Sequence, residues 1–237
     1  MDFYATFSRY YDEVFPANAA EMRFTESFFE DKTQLLDIGC GNGNKTVLLA
    51  RPGRRVLGVD NDAEMIATAA AKHAVRGVSY RVTGMGDLGR DLAALKFDGV
   101  LCLGNTLVHL KDAVAVETLL AEVYDLLLPG GVCMIQILHY EWILAAGITT
   151  LPLIDTPHIK FERRYVWEGP DLHFKTTLTE KNQGREMHGD IVLLPLLTAD
   201  LSKMLQAQGF NDLRHYGDFQ GGPLKRDSLA SITVCRK

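Results

Sequence analysis

The chain has 237 residues, 47% of them hydrophobic, and a formal net charge of −5; it carries enough apolar material for one substantial core. This acidic balance lacks the basic footprint of nucleic-acid binding, and no apolar run nears the ~18 residues that a membrane span requires. Cys40, Cys102, Cys133 and Cys235 have no CxxC spacing, which argues against a zinc site or a disulfide framework.

The start, MDFYATFSRYYDE, has no signal-peptide pattern, so a cytoplasmic protein with a small-molecule substrate, and no nucleic-acid or membrane partner, is expected. Residues 1–30 contain Tyr10 and Tyr11 in an aromatic stretch without a strand pattern, and are expected to cap the domain. From 34 to 140 short apolar runs alternate with helical stretches. QLLDI, RVLGVD, VSYRV, FDGVLCL and VCMIQIL are apolar on both faces, as strands of a covered parallel sheet are. Lys45–Ala50, Ala63–Ala74 and Asp112–Leu128 are the helices between them, the last stopped by Pro129-Gly130-Gly131. Repeated strand and helix predicts an α/β fold with a doubly wound, mostly parallel sheet. Beyond Leu144 the helices give way to KFERRYVWEG, DLHFKTTLTE and MHGDIVLLP, separated by Gly169-Pro170 and the turn KNQGRE. Residues 149–195 are therefore expected to form an antiparallel insertion. The helix TADLSKMLQAQGF and the strand SITVCRK complete a single domain. No internal repeat or linker interrupts it, and the pattern does not specify an oligomeric state.

The first strand runs into LLDIGCGNGN, with Gly39, Gly41 and Gly43 in five residues. Such a loop lets a ligand approach the main chain, and in open α/β sheets it lies where ligands bind. Asp60 closes the second strand roughly 20 residues later, the separation at which an acid reaches ribose hydroxyls. Dinucleotide sites space their glycines GxGxxG so that a helix N-terminus receives the pyrophosphate. Here the spacing is GxGxG, and Asp37 stands two residues ahead, where it would repel a pyrophosphate and attract a sulfonium or ammonium cation. The predicted cofactor is S-adenosylmethionine.

LLDIGCGNG followed by VLGVDNDAEMI resembles the first two motifs of the class I S-adenosylmethionine-dependent methyltransferases, and Phe97-Asp98-Gly99-Val100 opens the fourth strand as in that family. The resemblance covers nearly the whole chain. It implies a seven-stranded sheet whose last strand, SITVCRK, runs antiparallel, and puts Gly209-Phe210 and LLLPGG in their usual positions. It further implies that Gly39, Gly41 and Gly43, with Asp37, surround the methionine portion, Asp60 holds the ribose, and Asn61 and Met65 flank the adenosine. Gly84, Met85 or Asp87 would contact adenine. Leu103, Asn105 and His109 fall in the stretch that closes over cofactor and substrate, Asn105 and His109 being the catalytic candidates. Tyr10 and Tyr11 correspond to tyrosines that cap the site; anchoring of an N-terminal helix is their alternative role, and a structural histidine that of His109.

Within the family, FDGVLCLGNTLVHL and HYEWIL resemble the small-molecule N-methyltransferases of the glycine N-methyltransferase type, which implies in-line methyl transfer to an amine. Alignment with that group puts Leu138 where it carries an arginine for the acceptor's carboxylate. An acceptor without an α-carboxylate, held by Tyr140, Trp142 and Tyr165, is therefore expected, unless the insertion folds back to supply Arg163 or Arg164. Adjacent strand residues face opposite ways, so at most one of the two can enter a pocket. A metal-independent O-methyltransferase, a nicotinamide-dependent oxidoreductase and a non-catalytic S-adenosylmethionine-binding protein are the alternatives. Leu103-Gly104-Asn105-Thr106 lacks the NPPY-like motif of base and glutamine methyltransferases and the acidic cluster of magnesium-dependent ones.

Overall fold

A computed structural model describes residues 3–237, with side chains described from Phe7 onward. The chain opens with two helices, α1 (Phe3–Val14) and α2 (Ala19–Phe29). The spacing of Phe7, Tyr11 and Val14 gives α1 one apolar face, and the Asn18 side chain caps α2 by accepting from the Ala20 and Glu21 amides at 2.7 and 3.3 Å. Strands β1 (Gln34–Ile38), β2 (Arg55–Asp60), β3 (Val78–Val82), β4 (Phe97–Cys102) and β5 (Leu127–Leu138) follow as expected, joined through α3 (Ala63–Lys72), a short α4 (Leu88–Asp91) and α5 (Ala113–Leu126).

The expected helix at Lys45–Ala50 is only a 3-10 turn, Thr46–Leu49, after which Ala50 is already extended. Pro52-Gly53 leaves no room for further helical turns before β2. After β5 come α6 (Tyr140–Ala145), β6 (Ile154–Asp155), β7 (Ile159–Glu168), β8 (Asp171–Glu180) and β9 (Arg185–Leu193), then α7 (Thr198–Ala207), β10 (Asn211–Tyr216) and β11 (Ala230–Arg236).

The main sheet has the order β10-β11-β5-β4-β1-β2-β3, and β11 alone runs against its neighbours. β6 to β9 form a separate four-stranded antiparallel sheet. One face of the main sheet packs on α5 and α7 through Leu36, Val100, Leu120 and Leu201, while Phe29 of α2 anchors the other face. Complete burial of a side chain like Phe29 stabilises by about 1.5–3 kcal/mol. α1 is held between α3 and the inserted sheet: Phe7 and Val14 pack with Met65 of α3 and with Ile159, Phe161, Leu178 and Met187 of that sheet. The insertion therefore folds back over the carboxyl-end region of the main sheet. No helix among the described residues is long and apolar enough to cross a membrane.

Candidate active site

Strand order reverses between β4 and β1, and the loop Gly39–Asn44 leaves the sheet at that point. Gly39, Gly41 and Gly43 have φ of 71°, 55° and 79°, a region that side-chain-bearing residues avoid. Neighbours also leave no space: a Cβ at Gly39 would collide with the Thr106 side chain, at Gly41 it would lie 2.8 Å from the Tyr11 phenol oxygen, and at Gly43 2.7 Å from the Tyr80 ring.

Two acids support the loop. Asp60 accepts from the Gly41 amide at 2.9 Å and from the Asp62 amide at 3.0 Å; burial raises its pKa while these N–H groups oppose the rise. Asp37 accepts from the Thr46 hydroxyl at 2.6 Å, and burial pushes its carboxyl up to about 6. Burial, reinforced by the charges of Asp60 and Asp37, likewise raises the Tyr11 phenol. Lys45, next after the loop, pairs with Glu21 of α2 at 2.6 Å. A cavity of about 50 Å³ lies between Tyr11, Asp37, Gly39, Lys45 and Leu103. A larger open groove of about 420 Å³, lined by Glu117, Lys203 and Met204, lies between α5 and α7, on elements that do not carry the glycine loop.

Beyond β2 and β3, Asn61 and Asp87 flank Gly84: a Cβ there would lie 3.7 Å from the Asn61 Cβ and 3.4 Å from an Asp87 oxygen. Asp87 pairs with Arg90 at 2.9 Å, and Met85 packs on the main core. Met65 is buried beneath α1, against Phe7 and Val14.

After β4, Asn105 adopts φ 65° and is fixed on three sides. Its amide donates to the Gln136 carbonyl at 3.2 Å, its side-chain oxygen accepts from the Leu138 amide at 2.9 Å, and its side-chain nitrogen donates to the Tyr140 hydroxyl at 3.1 Å. His109 ends a 3-10 turn, Leu107–His109, and is exposed at its edge. Desolvation lowers its imidazole pKa, opposed by the charge of Asp60. Tyr140 is fully buried, with the Tyr165 ring 6.4 Å away. Arg163, on the same face of β7 as Tyr165, donates to the Pro152 carbonyl at 2.7 Å, whereas Arg164 points to the opposite, exposed face. Trp142 is half-buried on α6, whose buried side carries Tyr140 and Ile143, so it does not join the Tyr140–Tyr165 pair. Tyr10 donates to Glu180 of β8 at 2.9 Å and so ties α1 to the inserted sheet.

Tyr80, Thr106, Glu21 and Lys45 were not expected in this site. Lys45 had a local signal, a cation directly after a glycine loop. Thr106 lies in the stretch Leu103 to His109 that the sequence already marks, whereas Tyr80 has no local signal, because its place against Gly43 comes from a strand distant in sequence.

Residues 35–131 match the family model described as methyltransferase domain. The glycine/sarcosine N-methyltransferase of Halorhodospira halochloris is 29% identical over 214 residues, covering 86% of this chain and 75% of that protein. The Aphanothece halophytica glycine/sarcosine N-methyltransferase is 27% identical, covering 86% and 76%. Among solved structures, an S-adenosylmethionine-dependent methyltransferase from Clostridium acetobutylicum aligns with a TM-score of 0.83 at 16% identity, covering 99% of each chain. A sugar N-methyltransferase from a Streptoalloteichus species aligns at 0.72 with 19% identity, covering 100% of this chain and 93% of that one. A seven-stranded sheet in this order, with a glycine loop at its switch point, defines the Rossmann-like methyltransferase fold. Residues 35–131 belong to the methyltransferase domain family, and the relatives and the fold together support a class I S-adenosylmethionine-dependent methyltransferase.

Proposed function

We propose that the chain transfers the methyl group of S-adenosylmethionine to an amine nitrogen of a small molecule. The carrying observation is the pairing of a glycine cradle, too crowded for any Cβ, with two carboxylates, the buried Asp37 and the half-buried Asp60, beside a lysine already neutralised by Glu21. That environment suits a cationic ligand and fits this cofactor. The bound cofactor supplies an activated methyl group on a sulfonium.

In this reading the chain does the holding. Gly39, Gly41 and Gly43 receive the methionine portion with Asp37 and Leu103, Asp60 the ribose, and Asn61, Gly84, Met85 and Asp87 the adenine side. Tyr11 closes over the loop and excludes water, which an in-line displacement needs along with alignment. Asn105 and Tyr140 form a fixed wall for the acceptor, with Tyr10, Tyr165 and Arg163 opposite. His109, kept neutral by desolvation, accepts the proton that an ammonium acceptor must lose. Nitrogen as the accepting atom is favoured by the relatives named glycine/sarcosine and sugar N-methyltransferases.

The test is methyl transfer from isotopically labelled S-adenosylmethionine to a panel of amines and phenols, with product sites located by mass spectrometry. N-methyl products support the proposal. Exclusive labelling of hydroxyls would replace it with O-methylation.

A further inference from the structure

Resting on the amine reading above, we infer that the acceptor also carries an anionic oxygen group, a carboxylate or a phosphate ester, which Arg163 receives from the inserted sheet. The inner face of that sheet is built in rows across β7, β8 and β9. Phe161, Leu178 and Met187 form one row, and Tyr165, Phe174 and Ile191 another. Between two apolar rows lies Arg163, Thr176 and Gly189, a guanidinium followed by two short residues.

Arg163 is half-buried there without a carboxylate partner among the described residues. One nitrogen donates to the Pro152 carbonyl and the group lies 5.6 Å from the Phe161 ring, but its Nε is buried with no acceptor. Tyr165, two residues along the same face and only 5% exposed, turns its hydroxyl toward Tyr140. A buried guanidinium N–H lacking an acceptor is costly unless a ligand satisfies it, and a partly desolvated cation calls for an anion.

The position is central. On one side Phe161 stacks 5.4 Å from Phe7, which lies 5.7 Å from Tyr11 over the glycine loop. On the other, Tyr165 leads to Tyr140 and Asn105. Leu138, whose amide bonds Asn105, would place an anion beside that residue. Arg163 places it about 7 Å farther along the sheet than Tyr165. An acceptor whose nitrogen lies near Asn105 and His109 must then be longer than glycine.

Calorimetry on the full chain saturated with S-adenosylhomocysteine tests this with matched pairs: 4-aminobutyrate against 4-amino-1-butanol, and O-phosphoethanolamine against ethanolamine. At least one anionic amine should bind tenfold or more tighter than its neutral partner. Arg163→Gln should abolish that preference, Arg163→Lys should retain part of it, and S-adenosylhomocysteine affinity should stay unchanged in both. A preference confined to one pair identifies carboxylate or phosphate. Equal binding of charged and neutral amines, or a preference that survives Arg163→Gln, overturns the inference. Methylation of the same amines is read separately. Selective binding without N-methyl product would overturn the amine reading and leave the anion site standing.

Discussion

Tyr11 covers Gly41 so closely that a Cβ on the glycine would stand 2.8 Å from the phenol oxygen. The same loop residue donates its amide to Asp60 at 2.9 Å, so the cradle is held by β2 on one side and by α1 on the other. Gly41→Ala forces a side chain into a left-handed conformation, φ 55°, at about 1–2 kcal/mol, and displaces Tyr11. The expected outcome is a tenfold or larger loss of S-adenosylhomocysteine affinity in calorimetry, with faster proteolysis within α1. Wild-type affinity in this variant would mean that Tyr11 does not close over the ligand.

Asp60 has two roles that one variant separates poorly and two measurements separate well. Its oxygens already accept from Gly41 and Asp62 at 2.9 and 3.0 Å, and bonds to a charged group contribute about 1.5–3 kcal/mol. Asp60→Ala should therefore lower the unfolding midpoint as well as cofactor affinity. Asp60→Asn, which keeps one acceptor oxygen and turns its NH2 toward the other amide N–H, should recover only part of the stability and little of the affinity. Denaturant unfolding and calorimetry on both variants check this.

The site divides by how its residues are specified. Gly39, Gly41 and Gly43 are legible in sequence because their φ values admit little else, and Asp60 because a strand end fixes its distance from them. The parallel strands are legible from their apolar runs. Lys45–Ala50 misleads: its composition is helical, but the short reach to Pro52 permits only one tight turn. α1 offers a helical spacing, yet what it packs against, Phe161 and Leu178 on one side and Met65 on the other, depends on an insertion folding back from more than a hundred residues away. The Glu141 carboxylate that accepts from the Thr198 amide at 2.6 Å at the start of α7 is equally invisible, since α7 has no side-chain cap of its own.

Asp37 predicts an inverted pH dependence of stability. Its carboxyl sits at about 6 in the fold against an ordinary 3.8, so the folded state holds the proton more tightly than the unfolded chain. Its contribution is greatest below pH 4, declines as pH rises toward 6, and is then lost; the span is up to about 3 kcal/mol. Asp37→Asn should remove this decline and make the ligand-free protein more stable than wild type at pH 8, while weakening S-adenosylmethionine binding through loss of the negative charge. Unfolding midpoints between pH 4 and pH 8 for both proteins would expose the difference. A wild-type midpoint that does not fall more steeply than the variant's over this range would contradict the buried, proton-holding state.

His109 predicts the acid limb of the rate profile. Desolvation lowers its imidazole below the ordinary 6.5, so the ring is neutral at pH 7 and gains a proton only in more acidic solution. If it takes the acceptor's proton, kcat/KM should fall as pH drops through a value below 6.5. His109→Gln should lower kcat by about 10²-fold and erase that limb while leaving S-adenosylhomocysteine affinity in place. A limb that persists in the variant assigns it to another group or to the amine itself.

Asn105 is where backbone and side-chain roles can be told apart. Its φ of 65° is tolerated by asparagine and glycine and strains alanine, while its side chain bridges the Leu138 amide and the Tyr140 hydroxyl at 2.9 and 3.1 Å. Asn105→Gly preserves the turn and removes both bonds; Asn105→Ala removes the bonds and adds strain. If the conformation alone mattered, the glycine variant would keep its activity. The wall formed with Tyr140 requires instead that both variants lose kcat to a similar extent, with Asn105→Ala the less stable by about 1 kcal/mol. Tyr140→Phe gives the complementary test, because it leaves the Asn105 side-chain nitrogen without its acceptor, a loss of about 1–3 kcal/mol when buried. Its kcat should fall alongside that of Asn105→Gly, and the double variant should be little worse than either alone. Additive losses in kcat would show that the two residues act independently and that the bond between them does not hold the wall.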